Sequence, residues 1–257
     1  MKNLLFSFFT LLFFQPTIGQ TEQIISPILI DKSVLSGIGL KQIQLDHEPD
    51  RAFFQKNLYR GEDLSVYVVS SQSWLGKMEN FSIDEYIYML NGKARVKPEG
   101  GEDRFFQTGD HFFATKGYTG EWEIIAGNQY HYELSVITTQ RAPEVKISKT
   151  QLPQLLDKNK LSGTEIDLSS GNYEAELFQG DELTILLKGE SPRNVLLETP
   201  SEEQVIAVLS GQLTLRDSQN QSYTFHTGDF LILPKGFQGE WISEGHGMLK
   251  YLTIQKS

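Results

Sequence analysis

Lys116-Gly117-Tyr118-Thr119-Gly120-Glu121-Trp122 returns later in the chain as Lys235-Gly236-Phe237-Gln238-Gly239-Glu240-Trp241, and this recurrence decides the fold. Working outward, the same offset of 119 carries Thr108-Gly109-Asp110 onto Thr227-Gly228-Asp229 and Asn91-Gly92 onto Ser210-Gly211. It also carries Gly61-Glu62-Asp63-Leu64-Ser65-Val66 onto Gly180-Asp181-Glu182-Leu183-Thr184-Ile185. Residues 60–122 align with 179–241 without a gap, and 16 of the 63 positions are identical. Chance does not hold a register that long, so the chain contains a duplicated domain. Solenoid units are about 20–50 residues, so copies this far apart must each close a core of their own.

Within the first copy, Asp63–Ser70, Asp84–Leu90, Lys93–Val96 and Tyr130–Ile137 are short β-rich runs set between turn signals. Asn91-Gly92 predicts a tight hairpin with positive φ at both central residues. Glu99-Gly100-Gly101-Glu102-Asp103 predicts a second turn. Many short strands, Gly-rich turns and no long helical pattern predict an all-β sandwich or barrel for each copy. A short helix is expected over Gln151–Asp157, ahead of the second copy. The expected layout is a leader at 1–19, a first barrel at 40–140, a linker at 141–165 and a second barrel at 166–257.

The leader follows from Lys2, the 11-residue run Leu4–Phe14 with only Ser7 and Thr10 as polar members, and small residues around Thr17-Ile18-Gly19. A membrane span needs about 20 apolar residues, so cleavage and a secreted or periplasmic product are expected, with no membrane partner. The chain has no Cys, which removes disulfides and thiolate chemistry. Its net charge of −10 lacks the basic footprint of a nucleic-acid binder.

With those residues in place, the sequence resembles a known family. Gly109-Asp110-x4-Thr115-Lys116-Gly117 and Gly228-Asp229-x4-Pro234-Lys235-Gly236 resemble the second motif of the cupins, and Glu85-x6-Gly92 resembles the end of their first. The closing Gly-(Tyr/Phe)-x-Gly-x-Trp is similar to the subfamily that includes ureidoglycine aminohydrolase and the ethanolamine-utilisation cupins. The resemblance implies a bicupin: two tandem double-stranded β-helix (RmlC-like jelly-roll) barrels.

The family's usual metal site holds two His, a Glu and a third His, a donor set that suits Mn, Fe, Zn or Ni. Carried onto this sequence, the two His positions fall on Glu79 and Phe81 or on Met78 and Asn80. In the second copy they fall on Glu198 and Pro200 or on Leu197 and Thr199. The Glu position is Glu85 in one copy and Gln204 in the other, and the third His position is Gly120 or Gly239. No metal is therefore expected, with Mn as the runner-up cofactor.

If the third His points into the barrel, Trp122 and Trp241, two residues further along the strand, point inward too. Each indole then either plugs its barrel or lines a ligand pocket. Of the five His, His111 and His131 are expected to share the first barrel's interior with Glu85 and Glu133, as candidate acid–base residues. His226 and His246 read as exposed, and His47 has no ligand-like neighbour. Residues shared by both copies, such as Asp110 and Asp229, are read as fold requirements, with Asp fixing a turn. Function is sought where the copies differ. Tyr86, Tyr88, Tyr118, Trp122, Trp241 and Gln204 are the candidate ligand contacts, chiefly in the first barrel.

Three functions remain open at this point. One is a metal-free binding module for a small organic ligand, a sugar or an amino-acid derivative. The others are a metal-dependent hydrolase like ureidoglycine aminohydrolase, and a metal-free acid–base isomerase using Glu85 and a nearby His. A monomer or a homodimer is expected.

Overall fold

The computed structural model describes residues 25–45, 48–127, 129–140, 152–162, 169, 171–245 and 247–257. The expected leader, His47, His246 and most of the linker lie outside them. Among the described residues, no helix is long and apolar enough to cross a membrane.

Each copy folds into a jelly-roll barrel of two facing antiparallel sheets. In the N-terminal barrel a seven-stranded sheet faces a four-stranded one; in the C-terminal barrel the large sheet has six strands. The large N-terminal sheet contains Glu48–Arg60, Leu64–Ser71, Glu85–Asn91, His111–Ala114 and His131–Thr138. The small sheet facing it contains Trp74–Met78, Lys93–Pro98, Arg104–Gln107 and Gly120–Ile125. The four runs expected as strands are all strands; three are shifted by one residue, and the run from Lys93 extends two residues further, to Pro98.

Two local expectations are corrected. Asn91-Gly92 does not close a hairpin: Glu85–Asn91 lies in the large sheet and Lys93–Pro98 in the small one. The pair is a corner between sheets, so only Gly92 takes positive φ, at 93°, and the Asn91 side chain instead donates to the Tyr130 carbonyl at 2.8 Å. The helix expected over Gln151–Asp157 starts later, at Lys158–Ser162, preceded by the two-residue strand Gln154–Leu155. Pro153 suits extended backbone, and Asp157 begins the helix by accepting from the Asn159 N–H at 2.8 Å.

The barrels pack back to back through their large sheets. One apolar cluster spans both, joining Val66, Tyr86, Phe113, Leu134 and Val136 to Phe178, Ile185, Val205, Phe230 and Leu252. Short arms reinforce the join. Ile28–Leu29 adds to the C-terminal barrel by pairing with Leu231–Ile232, and Gln154–Leu155 adds to the N-terminal barrel by pairing with Phe112–Phe113. After each arm strand a lysine reaches the turn aspartate of the barrel it caps. Lys32 meets Asp229 at 2.8 Å and Lys158 meets Asp110 at 2.6 Å. The same aspartates fix their turns, accepting from the His226 N–H at 2.7 Å and the Gln107 N–H at 2.9 Å.

Acidic side chains cross the seam reciprocally. Glu203 of the C-terminal barrel accepts from the backbone N–H groups of Glu62, Asp63 and Leu64 at 2.8–3.1 Å. Asp84 of the N-terminal barrel accepts from Glu182 N–H and Lys116 N–H, both at 2.9 Å. A Cβ at Gly61 would lie 2.0 Å from the Glu203 carboxylate, and one at Gly180 would lie 2.2 Å from that of Asp84. This close approach explains why both copies keep glycine there.

Candidate functional site

The inward faces of the two barrels differ in chemistry. In the N-terminal barrel, Glu85 and Ile87 of one strand and His131, Glu133 and Ser135 of its neighbour point toward the small sheet. There Met78, Trp122 and Ile124 meet them. Together with Arg51, Phe53, Ser71, Trp74 and Phe81, most of these line a cavity of about 250 Å³. Glu85 accepts a short hydrogen bond from the Ser135 hydroxyl. His131 Nε2 lies 3.0 Å from Glu133 Oε2, close enough for an ion pair when the imidazole is protonated, but the approach is not aligned as a hydrogen bond, and neither atom has a hydrogen-bond partner. Burial, reinforced by the Glu133 charge and opposed by the Ser135 bond, pushes the Glu85 carboxyl up to about 8.

Arg51 and Trp74 form the rim. The guanidinium lies 4.0 Å from the Trp74 ring centre and 5.3 Å from that of Phe53. Glu48 holds both residues, accepting from Arg51 at 3.1 Å and from the Trp74 indole N–H at 3.0 Å. Four of the buried side-chain polar atoms that lack a partner belong to this lining: Arg51 Nε, His131 Nδ1 and Nε2, and Glu133 Oε2. Such atoms are costly to leave unpaired, so their gathering at one cavity is informative.

In the C-terminal barrel Gln204 occupies the Glu85 position. Strand pairing places Leu249 and Tyr251 where the first barrel has His131 and Glu133, since Leu249 pairs with Glu190 as His131 pairs with Ser71. The offset in this last strand is therefore 118, and Leu249, not the Lys250 that an offset of 119 would give, is the counterpart of His131. Glu190 accepts from the Trp241 indole N–H at 2.5 Å and from Arg193 at 2.5 Å. Trp241 packs within that barrel's apolar cluster. Both indoles point inward, but Trp241 is tied into its core, whereas Trp122, opposite the smaller Ser71, borders a cavity.

Several sequence candidates lie elsewhere. His111 does not join Glu85 and His131. It faces the seam between barrels, bonded through Nδ1 to the Tyr86 hydroxyl at 2.7 Å and packed on Tyr88 at 4.5 Å. Burial pushes its imidazole down to about 4, so this ring adds no charge to the seam at neutral pH. Tyr86 and Tyr88 share that seam, with Tyr88 5.1 Å from Phe230. Tyr118 is enclosed in the first barrel's core and donates to the Glu121 carbonyl at 2.7 Å. Side-chain exposure of His226 is 63%, as expected of a surface residue. Arg51, Trp74 and Phe81 were not among the candidates; Arg51 lies outside the aligned repeat, and Trp74 is matched by Arg193, so no shared letter marks either.

The metal positions of the cupins do not fit a metal here. Phe81 stacks on Trp122 with ring centres 6.2 Å apart, and Met78 packs against the same cluster. At the third His position a Cβ on Gly120 would lie 2.4 Å from the Lys97 carbonyl oxygen, and one on Gly239 would lie 2.0 Å from that of Arg216. Backbone crowding thus requires glycine where a ligand would stand. Among the described residues, no three His, Cys, Asp or Glu side chains gather closely enough to hold a metal. Gly239→Ala is accordingly expected to cost roughly 1–3 kcal/mol in chemical denaturation, through forced backbone displacement. Gly247→Ala, where an added Cβ meets nothing within 4 Å, should stay near the parent.

Two jelly-roll barrels in tandem, packed through their large sheets, define a bicupin. The model of the EutQ-like cupin domain matches residues 67–132 and again 195–250, so the fold is that of the cupin superfamily, with two cupin domains in one chain. Solved structures agree over nearly the full length. A cupin 2 conserved barrel domain protein from Leptotrichia buccalis aligns with TM-score 0.60 and 12% identity, covering 92% of this chain and 99% of that one. A protein of unknown function from Pseudomonas syringae pv. tomato str. DC3000 aligns with TM-score 0.63 and 15% identity, covering 90% and 100%. Protein Ylba from E. coli aligns with TM-score 0.55 and 13% identity, covering 93% and 95%. At such identities the likeness speaks for fold alone. No curated protein matches the sequence.

Proposed function

We propose that this bicupin is exported, loses its leader, and binds a small organic ligand, a sugar or an amino-acid derivative, in the N-terminal barrel without a metal. The carrying observation is the set of unpartnered polar atoms on Arg51, His131 and Glu133 around one cavity. Aromatic walls and a few directed polar groups are the usual make-up of a small-molecule site. The C-terminal barrel, with Glu190 spent on Trp241 and Arg193, serves as scaffold. Nothing in this reading needs more than a monomer or homodimer.

A second reading rests on Glu85. A carboxyl that keeps its proton near neutrality, beside Glu133 and an imidazole, is equipped to exchange protons with a bound substrate, as an isomerase requires. The ureidoglycine aminohydrolase reading would need a metal that Met78, Phe81 and Gly120 do not hold.

Panels of neutral sugars and amino-acid derivatives, screened by tryptophan fluorescence, test the binding reading. A binder should perturb the parent and lose at least tenfold in affinity with Trp122→Ala. Stoichiometric Mn or Zn in the purified protein, or ammonia release from ureidoglycine, would overturn it. Mass measurement of the exported product, expected to lack about the first 19 residues, checks the leader.

A further inference from the structure

Building on the ligand-binding reading, we infer that the N-terminal cavity is made for an organic cation, whose ammonium group sits between Glu85 and Glu133 against the faces of Trp74, Trp122 and Phe81. Two carboxyl groups face the cavity, and its only permanent cation, Arg51, is already engaged by Glu48. The inner end therefore has acceptors and negative potential with no permanent side-chain counter-charge to match, His131 being the one titratable base beside Glu133. Glu133 Oε2 makes no aligned hydrogen bond, even to His131 Nε2 at 3.0 Å, and an ammonium group supplies three donors free to turn toward it.

The walls agree with that assignment. Indole faces attract cations through the ring quadrupole, more strongly where water is excluded. An anion would meet two carboxyls, and a neutral alcohol could satisfy Glu133 but would leave the charge unmatched. The C-terminal barrel is a built-in contrast. With Gln204, Leu249 and Tyr251 at the corresponding positions, and Glu190 neutralised by Arg193, it carries no such demand.

Cation binding at this site entails a proton step. The neutral Glu85 carboxylic acid releases its proton to solvent, and the resulting carboxylate pairs with the incoming ammonium, so charge is conserved in the cavity. The groups facing Glu85 from neighbouring strands are Ser135, Glu133 and His131, with Tyr67 opposite Ser135 and Arg51 at the rim. The small sheet contributes Met78, Trp74, Trp122 and Ile124, none of them ionisable in this range. Affinity for a cation should therefore rise by roughly tenfold per pH unit between pH 6 and pH 8, where Glu85 otherwise holds its proton.

The test uses propylammonium, propanol and propionate as probes of one size and three charges. The chain has three Trp, so indole N–H resonances of Trp74 and Trp122 report on the cavity and that of Trp241 is an internal control. Propylammonium should shift the first two and leave the third, bind more tightly as pH rises, and lose that pH dependence in Glu85→Gln; Glu133→Gln should weaken it as well. Equal or stronger effects of propanol or propionate would overturn the inference. So would silence of all three probes while a sugar shifts the same resonances, an outcome that leaves the ligand-binding reading standing. If no probe, sugar or amino-acid derivative moves either resonance, both fall together.

Discussion

Between pH 5 and pH 8.5 the protein should lose on the order of 3–5 kcal/mol of stability that a Glu85→Gln variant retains. Glu85 is raised from 4.5 to about 8 in the folded chain, first by burial and then by the Glu133 charge. Below pH 4.5 the carboxyl is protonated in both folded and unfolded chains and costs nothing. As pH rises, the unfolded chain gives up its proton while the folded chain keeps it, so stability falls by about 1.4 kcal/mol per unit. The fall ends near pH 8, where the folded form ionises too. Gln has nearly the shape of protonated Glu and already occupies the equivalent place as Gln204. Denaturant titrations of both proteins at the two pH values measure the difference, since groups remote from Glu85 titrate alike in each. Parallel losses in parent and variant would show that Glu85 is solvated and ionises normally.

The duplication made the fold legible because a constant offset over 63 positions survives the divergence of individual side chains. Inward direction of Trp122 and Trp241 was legible for a similar reason, since alternation along one strand carries it from a neighbouring position. What could not be read was the pairing of strands distant in sequence. His111 lies opposite Tyr88, and Ala114 opposite Glu85, so one register decides that His111 joins the seam rather than the cavity. A slip of one residue would have exchanged them. The same limit hid the shift to an offset of 118 in the last strand, where a loop one residue shorter aligns Leu249 with His131. Arg51 reaches the cavity only because Glu48–Arg60 pairs along Leu64–Ser71, a contact with no local signature. The Gly120 and Gly239 positions showed that a ligand was missing; only the carbonyls of Lys97 and Arg216 show why no ligand could return.

Lys116→Met is expected to cost about 3–5 kcal/mol, while Lys235→Met at the equivalent position stays close to the parent. Sequence alone makes the two lysines look alike, because each stands seven residues after its turn glycine. Lys116 is driven into the seam, where its ammonium meets Glu182 at 3.0 Å with side-chain exposures of 5% and 3%. Asp84 lies beside them, its N–H donating to the Glu182 carboxylate and its own carboxylate accepting from the Glu182 N–H, and burial raises its carboxyl. Removing this ammonium would leave the Glu182 and Asp84 carboxyl groups buried without it, which is where the cost arises. Lys235 reaches Glu62 at 3.1 Å in the open, at exposures of 50% and 75%, and water replaces it readily. Replacing Lys116 and Glu182 together by Met and Leu should recover much of the loss, because the penalty comes from keeping a carboxylate buried after its ammonium is removed rather than from the missing bond. Denaturant unfolding followed by tryptophan emission measures all four proteins. Because one apolar cluster spans both barrels, a single transition should carry the signals of Trp74, Trp122 and Trp241. Separate transitions in Lys116→Met would show the seam failing before either barrel; equal stability of the two lysine variants would mean that the seam pair is hydrated.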